Sequence, residues 1–167
     1  MSRDIKRLHP LLLPLYAEFS KQLALAGIAH IVTSTVRTLD EQAALYAQGR
    51  RNLVEVNVLR RAVGMYPLSA AENEYCVTWT MKSRHFPQPI DLSRSDYDPN
   101  GYSRAFDIAL LRSGRRSAHW DLKVSVNGND IPDYAEAGGI GELVGLDWGG
   151  RWRKPDHPHY QMARLPE

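Results

Sequence analysis

The sequence predicts an α+β fold, a small and mainly antiparallel sheet with flanking helices. Three observations carry this. Apolar residues recur at helical spacing near the start of the chain. Several short β-rich segments follow. One of them, Ala105 to Leu111, is apolar almost throughout.

Taken in order, Leu12, Leu13, Tyr16, Phe19, Leu23 and Leu25 give residues 10–26 an amphipathic helical pattern that Gly27 ends. His30 to Val36 alternates and is rich in β-branched residues, which predicts a strand. Thr38 or Asp40 can cap a helix through Gln48, favoured by Ala43, Ala44, Leu45 and Ala47 and stopped by Gly49. Residues 50–74 carry no clear pattern, and Cys76 to Met81 reads as a short strand. Residues 83–103 are irregular and rich in Pro, Asp, Ser and Gly; so long a loop is often functional. Ala105 to Leu111 reads as a buried strand, and Leu122 to Val126 alternates into Asn127-Gly128, a hairpin signal. Pro132 can open a helix to about Val144, Trp148 to Trp152 reads as a turn, and His159 to Met162 as a final strand.

A length of 167 residues predicts one domain, 1–167, large enough to bury a core without staples. The single cysteine, Cys76, excludes an internal disulfide and reads as a core residue. The net charge is only +2 and its Lys and Arg are scattered, which argues against a nucleic-acid partner. The cluster Arg112, Arg115, Arg116 reads as a solvated loop. No stretch approaches membrane-spanning length, so no stable membrane association is expected. Pro10 and Pro14 interrupt the N-terminal apolar run, and Glu18 and Lys21 follow at once, unlike a signal peptide.

Three elements carry chemistry: Ser83-Arg84-His85, Arg104-Ala105-Phe106-Asp107 and Asp156-His157-Pro158-His159. Two imidazoles and a carboxylate are a catalytic zinc set that leaves a fourth position for water. Such chemistry also needs a base for the proton of that water, and Asp156 lies three residues before His159. Spacing alone leaves His157 and His159 open as two exposed residues on a turn.

The three elements resemble the zinc peptidase family of D-Ala-D-Ala carboxypeptidases, D-Ala-D-Ala dipeptidases and phage L-alanyl-D-glutamate endopeptidases. Thr33 to Arg37, Glu41 to Arg50, Cys76-Val77-Thr78, and Ala137-Gly138 through Gly150 resemble it too, so the likeness spans most of residues 30–162. The resemblance implies a zinc site at the sheet centre, with His85, Asp107 and His159 as ligands and Asp156 as base. It also implies that Arg37 stabilises the oxyanion and that Ser83 orients substrate or a ligand. An Asp at 156 is more like the phage endopeptidases. The expectation is therefore a monomeric phage endolysin cutting between L-Ala and D-Glu of peptidoglycan. It would be made in the host cytoplasm without a signal peptide and act on the wall in the periplasm. The rival readings are a D-Ala-D-Ala carboxypeptidase or dipeptidase, and a non-catalytic wall-binding or virion protein.

The pattern breaks at one place. His85 and Asp107 stand twenty-two residues apart where the family has seven, so residues 86–103 form an insertion. Asp91 competes for the ligand role, but Asp107 has the small residue and apolar strand around it. Within the insertion, Asp96, Asp98 and Asn100 match the first half of a calcium loop, against the simpler reading of a solvated turn.

Overall fold

The computed structural model describes residues 1–112 and 117–163, so Arg115 and Arg116 of the basic cluster lie outside the described residues. The elements run α1 (Leu12–Leu25), β1 (His30–Ser34), α2 (Leu39–Ala47), α3 (Leu53–Ala62), β2 (Ala105–Leu111), β3 (Ala118–His119), α4 (Asp133–Leu143), β4 (Leu146–Trp148) and β5 (His159–Met162). The sheet has the order β1-β2-β5-β4, with β3 also on β2, and every pair is antiparallel. This is the expected α+β class.

The period of two along the strands sorts the residues. Phe106, Ile108 and Leu110 of β2, Tyr160 of β5, and Leu146 and Trp148 of β4 point into one core. Leu8, Leu12, Phe19 and Leu23 on the α1 side, with Tyr134 and Ala137 of α4, cover that face. Phe106 and Tyr160 face each other across the strands and stack at 5.5 Å. The alternate residues, Asp107, His159, Gln161 and Asp147, fall on the opposite face. The near-continuous apolar run of β2 follows from burial of both its faces.

The helix ends follow local chemistry. Thr38 caps α2 in a full capping box with Glu41. Gly27, at φ 75°, takes the left-handed turn that ends α1. Helix α3 was not legible in the sequence; Val54 and Val58 are exposed, so its apolar spacing does not mark a buried face. Its Val56 joins Ala47 and Leu68 in a small separate cluster. Cys76 to Met81 is not a strand but an irregular segment, tied back by Gln42 Nε2 donating to Thr78 Oγ1 and the Thr80 carbonyl. The hairpin expected at Leu122 to Gly128 does not form. Asp133 is wholly buried; its backbone N–H donates to the Val124 carbonyl and its carboxylate accepts from Val126 N. These bonds fold the segment onto the start of α4. Trp148 closes β4, and the expected turn follows it as one turn of 3-10 helix over Gly149–Arg151, closed by Trp152 N donating to the Gly149 carbonyl.

Helix α4 approaches the sheet closely because Gly138 sits against the Trp148 ring. A Cβ there would stand 2.4 Å from ring atoms, whereas one at Gly139 would meet nothing within 4 Å. Gly138→Ala should lower unfolding free energy in urea by about 1–3 kcal/mol through overpacking. Gly139→Ala, gaining helix propensity in open space, should leave it unchanged or raise it.

Candidate metal centre

Asp107 and His159 are direct cross-strand partners on β2 and β5. Ile108 N donates to the Pro158 carbonyl, which makes Asp107 and His159 a non-hydrogen-bonded pair, the type whose side chains stand closest. His85 comes from the irregular segment after residue 82 and is pinned at several points. Its carbonyl accepts from Arg37 N at 2.9 Å, its N–H donates to Ser83 Oγ at 3.2 Å, and its Nδ1 lies 2.6 Å from the Thr35 carbonyl. A bulge between Val32 and Ser34 brings Ser34 opposite Asp107 and leads β1 into Thr35 and Arg37.

The three side chains converge. His85 Nε2 lies 3.1 Å from Asp107 Oδ1 and 3.2 Å from His159 Nδ1, and His159 Nδ1 lies 3.0 Å from Asp107 Oδ1. His85 and His159 are 1% and 7% exposed. Because Nδ1 of His85 donates to Thr35, its Nε2 presents a lone pair inward. Nε2 of His159 faces Gln161 Oε1 at 3.3 Å, which turns its Nδ1 inward, and Gln161 donates to Asp147 Oδ2 at 2.6 Å. Three acceptors thus crowd one point, a set that needs a cation or a proton between them. Ligand atoms about 2.0–2.1 Å from a tetrahedral zinc stand about 3.3–3.4 Å apart, close to the edges found here. The donor set and its outer hydrogen bonds fit zinc. Among the described residues it is the one group of three or more His, Cys, Asp or Glu so arranged.

Burial, aided by the Arg37 charge, pushes His85 down to about 4 against the pull of Asp107, so the ring is neutral at neutral pH. Burial opposes ionisation of Asp107, but His85, Arg37 and His159 together hold its carboxyl well below the usual range. Burial also opposes charge on His159, yet Asp107 and Asp156 outweigh it and raise that imidazole. Asp156 is raised, first by burial and then by Asp107.

Arg37 pairs with Asp107 Oδ2, donates from Nε to Ser34 Oγ at 3.0 Å and from Nη1 to Gln42 Oε1 at 3.3 Å. It therefore holds the carboxylate while also lining the cleft. Asp156 N donates to the Gly149 carbonyl at 2.9 Å, and the Asp156 carbonyl accepts from His159 N at 3.2 Å. This one-turn link sets the base beside the ligand. A Cβ at Gly149 would stand 2.5 Å from the Asp156 carbonyl oxygen, so only glycine allows that turn. No described residue donates to the Asp156 carboxylate, which lines a cleft of about 570 Å³ on one side and one of about 510 Å³ on the other.

Asp91 lies apart from this group, its carboxylate accepting from Ser93 N and Oγ. The hydrogen bonds of the insertion favour the solvated turn over the calcium loop. Both oxygens of Asp96 are taken by the Arg94 fork, and Asp98 accepts from Asn100 N within its own turn. The cation that orders the insertion is instead Arg104. Its buried guanidinium donates to the carbonyls of Pro89, Asp91 and Arg94 at 3.2, 3.0 and 2.6 Å. Cys76 is not a core residue but lines the second cleft. Thr35, Gln161 and Asp147 were missed in the sequence. Gln161 was the findable one, since it lies two residues after His159 on the same strand face.

Helix-flanked antiparallel sheet and buried His–Asp–His centre together define a metallopeptidase-like site. Residues 99–162 match the family described as D-alanyl-D-alanine carboxypeptidase, a span holding Asp107, Asp156 and His159 but not His85. The chain is 25% identical over 156 residues to the peptidoglycan L-alanyl-D-glutamate endopeptidase CwlK of Bacillus subtilis (strain 168), covering 93% of this chain and 73% of that protein. Its fold matches the L-Ala D-Glu endopeptidase ChiX of Serratia marcescens with a TM-score of 0.52 at 16% identity, over 95% of this chain and 83% of the other. These likenesses bear out the family resemblance seen in the sequence. Among the described residues, no helix is long and apolar enough to cross a membrane.

Two outcomes follow. Metal binding must displace the proton that Asp107 and Asp156 favour on His159, whose pKa is raised, so affinity should fall as pH falls. Isothermal titration with zinc should show affinity falling as the pH is lowered through the raised pKa of His159 towards about 6, by at most about tenfold per pH unit. His85, pushed down to about 4, adds no proton competition in that range. Calcium should leave the melting temperature unchanged, whereas Arg104→Met should lower stability by about 2–4 kcal/mol as the insertion loses its central donors.

Proposed function

We propose that this chain is a zinc-dependent peptidoglycan peptidase that hydrolyses stem peptides at the L-alanyl-D-glutamate bond. The observation that carries the reading is the joint placement of three buried ligands and one carboxylate without a donor, Asp156, along an open cleft. The chain-long likeness to CwlK, an L-alanyl-D-glutamate endopeptidase, supports the bond. Zinc, when bound, supplies Lewis acidity and lowers the pKa of water towards about 7.

The chain's own residues do the rest. Asp156 accepts the proton of the attacking water and returns it to the leaving amine; a carboxyl raised above its ordinary range is better suited to both steps. Arg37 keeps Asp107 in place, and we assign it as well the oxyanion contact that the resemblance implies, since it lines both clefts. Ser83 accepts from the His85 backbone and so sets the approach of that ligand. We further assign the role of a phage lysin, acting on the wall from the periplasm, on the resemblance of Asp156-x-x-His159 to phage endopeptidases. The family described as D-alanyl-D-alanine carboxypeptidase favours a second reading, release of terminal D-Ala by the same centre.

Purified sacculi decide between them. Zinc-loaded protein should fragment sacculi and expose new D-Glu amino termini, and chelator should stop it. Asp156→Asn should reduce the rate by about 100-fold or more while keeping zinc affinity within a few-fold. Release of D-Ala without new D-Glu termini would select the carboxypeptidase, and no cleavage by zinc-loaded protein would overturn the assignment.

A further inference from the structure

The two clefts meet at the metal centre, since both are lined by Arg37, Trp79 and Asp156, and they form one groove with unlike ends. The first end carries Lys82, Arg84, Arg153 and Lys154. Among the described residues none of these four has a carboxylate within 4.0 Å; Lys154 rests instead on the Trp79 ring at 4.2 Å. The acids at this end are already engaged or central: Asp147 accepts from Gln161 and Trp152, and Asp156 stands at the middle. The second end is apolar and aromatic, with Val77, Trp120, Pro155 and Pro158, and its one lining cation, Arg37, is paired with Asp107 at the metal centre where the two ends meet. Trp79 and Trp120 are 50% and 57% exposed.

A peptide cut between alanine and glutamate has a matching asymmetry. Glutamate carries two carboxyl groups, so the residue after the scissile bond keeps a free carboxylate whichever one continues the chain. The alanine before the bond carries no charge when its amino group is acylated.

Resting on the proposed endopeptidase reading, we infer that the cationic end of the groove, built by Lys82, Arg84, Arg153 and Lys154, binds the carboxylate-bearing side of the stem peptide after the scissile bond, and that the uncharged alanyl side lies over Val77 and Trp120. The direction of the substrate is thus set by charge. Free cations in a concave site attract a carboxylate and reject the reversed orientation, which would set them against an uncharged segment and lay the anion on an indole ring. Replacing that carboxylate by an amide removes the charge and little else.

The test uses two synthetic stem peptides, both acylated at the alanine amino group, that differ only in this carboxyl, free acid against amide. Zinc-loaded wild type should show kcat/KM about tenfold higher for the acid, a preference that shrinks in high salt. In the pair of changes Lys82→Gln and Arg153→Gln the ratio should collapse towards one, and Arg153→Lys should restore it. On metal-free protein, the D-Glu-terminal product should bind more weakly to the Gln variant than to wild type by isothermal titration. Cleavage of both peptides at equal rates by wild type, or equal loss on both in the Gln variant, would overturn the orientation and leave the endopeptidase reading standing. Cleavage of neither would overturn both.

Discussion

The structure depends on the register between β2 and β5. Asp107 opposite His159 and Phe106 opposite Tyr160 are consequences of the same pairing, one residue apart. The first pair makes the centre on one face of the sheet and the second makes the core on the other. A slip of one residue would bury the ligands among Phe19 and Tyr134 and expose the aromatics. The core therefore fixes the site: apolar burial under α1 and α4 specifies the register strongly, and the metal ligands inherit their alignment from it. Gly138, by admitting Trp148, secures the same register from the β4 side, and the Trp148 indole donates to the His157 carbonyl two residues before the ligand.

That alignment would be costly without compensation. A carboxylate and two imidazoles are brought out of water to one point, and a buried charge persists only when paired. Arg37 neutralises Asp107 on one oxygen and leaves the other facing the two rings. The outer partners, Thr35 for His85 and Gln161 for His159, fix which nitrogen of each ring turns inward. The geometry is thus held by the protein before any ion arrives, and an ion would replace a proton rather than reorganise the chain.

Much of this was legible in the sequence, and unevenly so. Strand β2 and strand β5 could be read to the residue, because one is a buried apolar run and the other follows a Pro-containing turn. Helices α1, α2 and α4 were legible from spacing, a cap and Pro132. Helix α3 was not, since its buried face mixes Val56 with the polar Asn57 and Arg60 while Val54 and Val58 face water. The segment from Cys76 to Met81 has strand composition but no strand to pair with; Gln42 takes up its polar groups instead. At the site, the ligand set was visible as residue types in order, whereas the roles of Thr35 and Asp147 were not. One acts through a backbone carbonyl and the other through an intermediary glutamine, and neither leaves a pattern in a single sequence.

The insertion shows how the fold tolerates an eighteen-residue loop, 86–103, between two ligands. Its ends are pinned side by side, with Gln88 and Tyr102 exchanging backbone hydrogen bonds. His85 and Asp107 therefore lie close to loop ends that this pair holds together. The loop's interior is gathered by Arg104 from below, while Arg7 donates to the carbonyls of Pro99 and Gly101 and His9 contacts the Ile90 carbonyl at 2.8 Å. A guanidinium with several donors in a plane does for these carbonyls what a calcium ion does in loops of similar sequence, but it is covalently part of the chain and always charged. Arg104 also lies three residues before Asp107 at the entry to β2, so the residue that orders the insertion is the one that delivers the ligand strand. Closing the loop at its base and filling it with an internal cation keeps the spacing between His85 and Asp107 independent of the length inserted between them.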